Sequence, residues 1–241
     1  MATNAPTAFN DPFCSPEKLS QIGRTVTRSL NAHPDIQHVD VPGAQIYVYQ
    51  DFLSDADCQY LIDKMDTESV PSTLYKGTQI DGFRTSYSCH LSIDDANVER
   101  IEERMAKVLG IPNAQAETMQ GQRYAVGQEF MPHHDFFHLT EEYWQQERKK
   151  GGQRCWTAVI YLNQPDEGGE TEFTELGIGI QPRKGMMVIW NNMKPDGTPN
   201  EKTLHWGKPV IRGTKYIITK WYRMNEWLTI NYPQYKKRRQ T

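Results

Sequence analysis

The 241-residue chain has little cysteine, and the four it carries (Cys14, Cys58, Cys89 and Cys155) are widely scattered and form no Cys-x-x-Cys. That spacing excludes a zinc-knuckle pattern and disfavours a disulfide framework, so reduced thiols in a cytosolic-type compartment are expected. There is no surplus of positive charge either. The 27 Lys and Arg are outnumbered by 30 Asp and Glu, and a net charge of −3 disfavours a nucleic-acid partner. No apolar run approaches the length of a bilayer-spanning helix, and residues 1–11 lack the basic flank and apolar stretch of a secretory signal. A cytoplasmic location without membrane contact is the expectation. Internal repeats and low-complexity blocks are missing as well. What is present, 37% hydrophobic and 11% aromatic residues, is the composition of an ordinary globular protein with one sizeable core.

Two patterns divide the chain. Residues 1–15 are broken by Pro6, Asn10, Asp11 and Pro12 and read as a loose arm. Ser15-Pro16-Glu17 opens a helix to about Ala32, which His33-Pro34-Asp35 ends. Ile46 to Tyr49 alternates like a strand, and Ser54 caps a helix with Cys58, Leu61, Ile62 and Met65 on one face. A further helix follows Asp94, with Val98, Ile101, Met105 and Val108 aligned, and stops at Gly110. From about Thr118 the period falls towards two, with strand-like runs at 120–126, 156–162, 179–181, 186–190 and 216–222. Residues 140–150 interrupt them as a charged, helix-like excursion. Helices first and short strands after predict an α+β fold, a sandwich or barrel with helices on one side. The basic run Lys236-Lys237-Arg238-Arg239 reads as a solvated tail.

Chemistry enters with His-x-Asp. Two histidines and a carboxylate form the facial triad of iron(II) oxygenases, and on a strand residues i and i+2 share a face. The pattern alone is weak, since about 0.4 matches are expected by chance, by counting against the template. The chain has three: His33/Asp35, His38/Asp40 and His133/Asp135. The first two border a helix end and read as surface turn residues. His133/Asp135 lies among strands with Phe130, Phe136 and Phe137 to exclude water. Beyond residue 138 the sole histidine is His205.

Lys215 adds a second half. Along Lys215–Trp221 it shares a face with Ile217, Thr219 and Trp221, and an inward ammonium is costly unless it meets an anion. The distal carboxylate of a dicarboxylate cofactor would supply one, with Tyr124 and Thr157 as further donors. The alternative is an edge strand with Lys215 in solvent and Lys220 inward.

With these residues in place, the stretch from about Ala44 to Arg223 resembles the prolyl 4-hydroxylases, a branch of the iron(II) and 2-oxoglutarate dioxygenases. The motifs that carry the resemblance are Arg84-Thr85-Ser86, then Arg123-Tyr124 through Pro132-His133-His134-Asp135-Phe136. Thr157 to Leu162 leading to Gly168-Gly169-Glu170-Thr171 follows, and then Leu204-His205 through Gly213-Thr214-Lys215. The resemblance implies a double-stranded β-helix (jelly-roll) core with N-terminal helices packed on one side. It divides the chain into an arm and helix (1–43), a catalytic domain (44–225) and a C-terminal tail (226–241). It implies iron ligands His133, Asp135 and His205, and Lys215 on the C5 carboxylate of 2-oxoglutarate, helped by Tyr124 and Thr157. Trp221, Arg84 and Glu117 would line a groove for a proline-containing peptide.

The implied reaction consumes dioxygen and 2-oxoglutarate, gives succinate and carbon dioxide, hydroxylates proline C4 and uses ascorbate to keep the iron reduced. Tyr143, Trp144, Trp190 and Trp206 are further aromatics suited to a polyproline II peptide, and residues 75–88 and 140–152 are candidate lids. Two positions depart from the family pattern. Phe130 stands where many relatives have tyrosine, and Gly185-Met186-Met187 replaces Gly-Asp-Ala. Both bear on substrate preference. An oxygenase acting on another amino-acid substrate and a non-catalytic peptide-binding barrel are the competing readings.

Overall fold

A computed structural model describes residues 13–74, 82–233 and 235. Three long helices alternate with the first four strands, each with a side chain accepting from open N–H groups of its first turn. In α1 (Pro16–Ala32) Ser15 accepts from Lys18 N, and in α2 (Asp55–Glu68) Ser54 accepts from Asp57 N. In α3 (Ala96–Leu109) Asp95 accepts from Asn97 N and Val98 N, so the cap sits one residue beyond Asp94. Gly110 ends α3 at φ 70°, the left-handed conformation that glycine adopts without a Cβ penalty.

The strands are β1 (Ile36–His38), β2 (Ile46–Tyr49), β3 (Val70–Pro71), β4 (Tyr87–His90), β5 (Gln120–Tyr124), β6 (Phe130–His133) and β7 (Arg154–Tyr161). They continue with β8 (Glu167–Gly168), β9 (Thr171–Phe173), β10 (Ile178–Ile180), β11 (Met187–Asn191), β12 (His205–Gly207), β13 (Val210–Arg212) and β14 (Lys215–Arg223). Eight form one antiparallel sheet in the order β1-β2-β11-β7-β14-β5-β4-β3, and β10-β9-β12-β6 form a second. A short β13-β8 pair completes the set. The fold is therefore a mixed helix and antiparallel-sheet architecture.

Strand alternation sorts the core into two layers. From β7, Trp156, Ala158 and Ile160 join Met187 and Ile189 of β11 and Ile218 and Tyr222 of β14 against the helices. Leu19, Val26, Leu61, Met65, Ile101 and Met105 are the helical side of that layer. From the same strands Val159, Tyr161, Val188, Trp190 and Ile217 point the other way, towards Phe173 of β9. Every residue of β7 is buried. The helices thus stiffen one face of the large sheet and leave the other to the second sheet.

This layering corrects the choice between Lys215 and Lys220, because β14 is a central strand covered on both faces. Lys215 is 1% exposed and Lys220 is fully buried. On the helical face Lys220 Nζ donates to Glu102 Oε1 (2.6 Å) and to Glu117 O (3.0 Å), and Asn113 Nδ2 donates to Glu102 Oε2 (2.7 Å).

Helix α1 and the segment after residue 225 both make contacts with the core. Helix α1 packs against α3 and β7 and so belongs to the main core. The segment read as a C-terminal tail is in part docked: α5 (Leu228–Asn231) buries Leu228, Trp227 N donates to Ala114 O (2.7 Å), and Asn113 Nδ2 lies 3.4 Å from the Tyr235 hydroxyl. The arm up to residue 12 and the basic run 236–239 lie outside the described residues. Among the described residues no helix is long and apolar enough to cross a membrane, and all four cysteines are free and buried.

Lys220→Met leaves the Glu102 carboxylate buried without its cation and is expected to lower stability by about 3–5 kcal/mol. Combining it with Glu102→Leu is expected to recover much of the loss. Chemical denaturation of the three proteins reads both effects.

Candidate active site

Pairing of β6 with β12 sets His133 directly opposite His205 and brings their ring centroids to 4.2 Å. Strand β6 ends at His133, so Asp135 lies two residues past it and the same-face rule does not aim its side chain. A hydrogen bond does: Thr157 Oγ1 on β7 donates to Asp135 Oδ2 (2.8 Å). Ligand atoms of His133, Asp135 and His205 fall within 4.8 Å of one another. His133 Nε2 is 3.9 Å from Asp135 Oδ1, and His205 Nε2 is 3.8 Å from Asp135 Oδ2.

The tautomers follow from the outer hydrogen bonds. His133 Nδ1 lies 2.7 Å from Met131 O and His205 Nδ1 2.9 Å from Thr203 O. A carbonyl only accepts, so each Nδ1 carries the proton and each Nε2 lone pair faces the centre, the arrangement of metal-binding histidines. Burial, reinforced by neighbouring His205, pushes His133 down to about 3. Burial acts to raise Asp135, but its electrostatic interactions with the two histidines and Arg154 and the Thr157 hydrogen bond outweigh it and hold the carboxyl below its usual range. Neutral imidazoles and an ionised carboxylate are the states a divalent cation requires. The donor set, two nitrogens and one carboxylate with room for further ligands, fits iron(II).

A narrow chamber runs inward from this triad past Trp190 and Thr219 to Gln122, Tyr124, Thr171 and Lys215. Among the described residues no hydrogen bond or ion pair holds the Lys215 ammonium. The rings of Tyr124 and Tyr161 lie 5.3 and 5.6 Å from it. Burial pushes Lys215 down to about 7, opposed by the charge of Glu170. A buried cation without a partner is a demand for an anion. Tyr124 lines the same chamber, its hydroxyl donating to Gln122 Oε1 (2.7 Å).

Thr157 does not belong to that end of the chamber. It faces Trp221 in the β7–β14 register, six residues from Lys215 along β14, or about 20 Å at strand rise. Its single proton is on Asp135, so the structure places it with the triad. The threonine beside Lys215 is Thr171, whose Oγ1 accepts from the Tyr161 hydroxyl (2.7 Å). Gly168-Gly169-Glu170-Thr171 was the sequence signal for it.

Outside the triad opens a cleft of about 510 Å³ that shares Trp221, Phe130, His133 and Asp135 with the chamber. Arg84 and Glu117 line it, with Phe136, His138, Tyr143 and Arg154. Arg84 Nη2 donates to Gln120 Oε1 (2.8 Å), and its guanidinium lies 4.8 Å from the ring of Phe130. Phe130 in turn stacks on His133 at 3.5 Å and 17°. Glu117 is engaged by arginines: Arg154 donates to both its oxygens (2.6 and 2.9 Å) and Arg223 Nε lies 2.6 Å away. Burial acts to raise Glu117, but those two cations hold it below the usual carboxylate range. Arg154, with its guanidinium 4.0 Å from the Trp221 ring, is a groove residue that sequence reasoning missed. It sits at the first position of β7, where nothing in the local pattern marks its direction.

The remaining aromatics separate. Tyr143 lines the outer cleft, Trp190 lines the chamber, and Trp206 donates from Nε1 to Glu129 Oε2 (2.7 Å). Trp144 is core, 2% exposed against Phe137. The second candidate lid is anchored at this point, since α4 (Trp144–Glu147) also buries Glu147 against Arg223. Of the first lid, residues 75–81 lie outside the described residues.

Comparisons agree with this geometry. The model of the 2OG-Fe(II) oxygenase superfamily matches residues 119–223, a span that holds the triad and Lys215. Two relatives from Arabidopsis thaliana are "Probable prolyl 4-hydroxylase 8", 35% identical over 205 residues, and "Prolyl 4-hydroxylase 5", 33% identical over 204. These matches cover 75% of this chain and 69% and 68% of theirs. A viral collagen prolyl hydroxylase from Paramecium Bursaria Chlorella virus-1, solved with 2OG, superposes with a TM-score of 0.58 at 27% identity. That match spans 74% of this chain and 95% of the viral one. A prolyl hydroxylase from Trichoplax adhaerens shares the fold at 17% identity and a TM-score of 0.53, over 86% and 91% of the two chains.

The protein is expected to bind one equivalent of cobalt(II), a spectroscopic substitute for iron(II). His133→Ala and His205→Ala are each expected to weaken binding by at least the roughly 100-fold that loss of a mere supporting hydrogen bond can cost. Titration calorimetry checks it, and unchanged affinity in either variant would remove that residue from the site.

Proposed function

The chain belongs to the prolyl 4-hydroxylase family of iron(II)/2-oxoglutarate-dependent dioxygenases, and on that premise we propose that it hydroxylates peptide-bound proline at C4. The observation that carries the reading is the convergence of three groups: a two-histidine, one-carboxylate triad, a buried lysine deeper in the same chamber with no ion pair among the described residues, and an arginine- and aromatic-lined cleft outside it. We read the two facing sheets as the double-stranded β-helix that such a site requires.

When bound, iron(II) with 2-oxoglutarate and dioxygen supplies the oxidising power to hydroxylate an unactivated C–H bond, with release of succinate and carbon dioxide. The protein supplies position and dryness. His133, Asp135 and His205 hold the metal, their Nδ1–H groups and Oδ2 already fixed by Met131, Thr203 and Thr157. Lys215 draws the C5 carboxylate of 2-oxoglutarate inward, with Tyr124 and Thr171 beside it. Trp221 forms the wall between chamber and cleft, and Phe130 covers His133 against water.

A proline-containing peptide in extended form suits the cleft, because aromatic faces bind polyproline II segments without needing their backbone donors. Arg84 and Tyr143 offer polar contacts to peptide carbonyls. Phe130 removes a hydroxyl that many relatives place there, so the contact at the reacting carbon is apolar in this chain. Ascorbate would serve turnovers that leave the iron oxidised.

The decisive assay is succinate formation by anaerobically purified protein with iron(II), 2-oxoglutarate, ascorbate and a proline-rich peptide, each omitted in turn. Peptide-stimulated succinate with a one-oxygen mass gain on proline is expected. Succinate without peptide oxidation would keep the oxygenase and reject the substrate, and no turnover in the metal-loaded protein would favour a binding-only barrel.

Lys215 adds a pH signature. Its free-state value near 7 rises when a carboxylate pairs with the ammonium, so 2-oxoglutarate affinity is full below about pH 7 and declines above it. The decline, about tenfold per pH unit, ends at the pKa of the complex. Calorimetry of the cobalt(II)-loaded protein at pH 8, in buffers of different ionisation enthalpy, is expected to show nearly one proton taken up per 2-oxoglutarate. Lys215→Met is expected to abolish the uptake.

A further inference from the structure

Behind the triad lies a chain of hydrogen bonds that runs one way. Asn192 Nδ2 donates to Thr157 Oγ1 (3.0 Å), and Thr157 Oγ1 donates to Asp135 Oδ2 (2.8 Å). The direction is forced. An ionised carboxylate accepts only, a threonine hydroxyl has one proton, and once that proton is on Asp135 the hydroxyl accepts from an amide N–H₂. Asn192 and Thr157 are both fully buried and Asp135 is 5% exposed, so bulk water does not compete for these bonds.

The anchors are rigid. Thr157 sits in the middle of β7 between β11 and β14. Asn192 follows β11, with its N–H donating to Cys155 O (2.8 Å) and its carbonyl accepting from Asn200 N (3.0 Å). The arrangement also carries a cost, because Asn192 Oδ1 is buried with no hydrogen-bond partner among the described residues. The orientation directs the amide N–H₂ at the Thr157 hydroxyl.

We infer that Asn192 and Thr157 are positioning residues for the metal site, a polarised amide–hydroxyl relay that fixes the rotamer of Asp135 and thereby sets metal affinity. The inference deepens the iron-site reading and rests on it. Asp135 needs such help more than the histidines do, because it lies beyond the end of β6 and has no strand neighbour to aim it. With Oδ2 engaged by Thr157, the carboxylate is held at the side of the triad with Oδ1 towards His133, and a ligand already in place loses less freedom when the metal arrives.

The test is cobalt(II) affinity of the metal-free protein, by chelator competition, together with the visible absorption of the bound ion. Thr157→Val fills the same space without the hydroxyl and is expected to weaken binding about 10–100-fold and to alter the spectrum. Thr157→Ser restores the donor and is expected to match the unmutated protein in both. Asn192→Asp is nearly isosteric but demands the hydroxyl proton for itself, and is expected to weaken binding about tenfold. Normal affinity and spectrum in a folded Thr157→Val, or in Asn192→Asp should the valine variant fail to fold, would overturn the relay. If the unmutated protein binds no cobalt(II), the iron-site reading falls and takes the relay with it. If all variants bind normally while the unmutated protein binds tightly, the relay alone fails.

Discussion

Strand β14 carries one buried lysine on each face, and the rest of the molecule is arranged around those two charges. Lys220 points into the helical layer and meets Glu102 there, with Glu117 O as a second acceptor. Lys215 points into the chamber and meets no anion among the described residues. Burial makes each charge costly, and only one is compensated by the protein itself. The paired lysine ties α3 to the sheet. The other leaves an electrostatic demand for an anion in the chamber.

The same strand fixes the depth of the site. Register with β7 places Trp221 beside Thr157 near the triad, and Lys215 stands six residues earlier on the same face of β14. Trp221 lines both the chamber and the cleft and so marks their boundary. On the outer side, Arg84, Phe130 and His133 form a continuous stack, so Phe130 links a cleft residue to a residue of the triad. The Glu117, Arg154, Arg223 and Glu147 network then ties the cleft floor to α4.

Much of this was legible in the sequence. Helix caps and apolar periodicity located α1, α2 and α3 within a residue or so, because those signals are local. The triad was legible because His133 and Asp135 are close in sequence and His205 had no histidine competitor downstream. Thr157 was misplaced because which residues meet across β7 and β14 depends on register, and register is a long-range property. Lys215 was read as inward and is buried, but the burial of Lys220 as well was missed for a related reason: alternation distinguishes two faces of a strand but does not say that both are covered. Arg154 and Asn192 were invisible because each acts through partners tens of residues away.

The central claim is that one site couples 2-oxoglutarate oxidation to hydroxylation of a peptide. Turnover under isotopically heavy dioxygen, with mass spectrometry of both products, tests that coupling most directly. One heavy oxygen is expected in succinate and one on proline C4 of the peptide. Heavy oxygen in succinate with an unlabelled or unmodified peptide would contradict it.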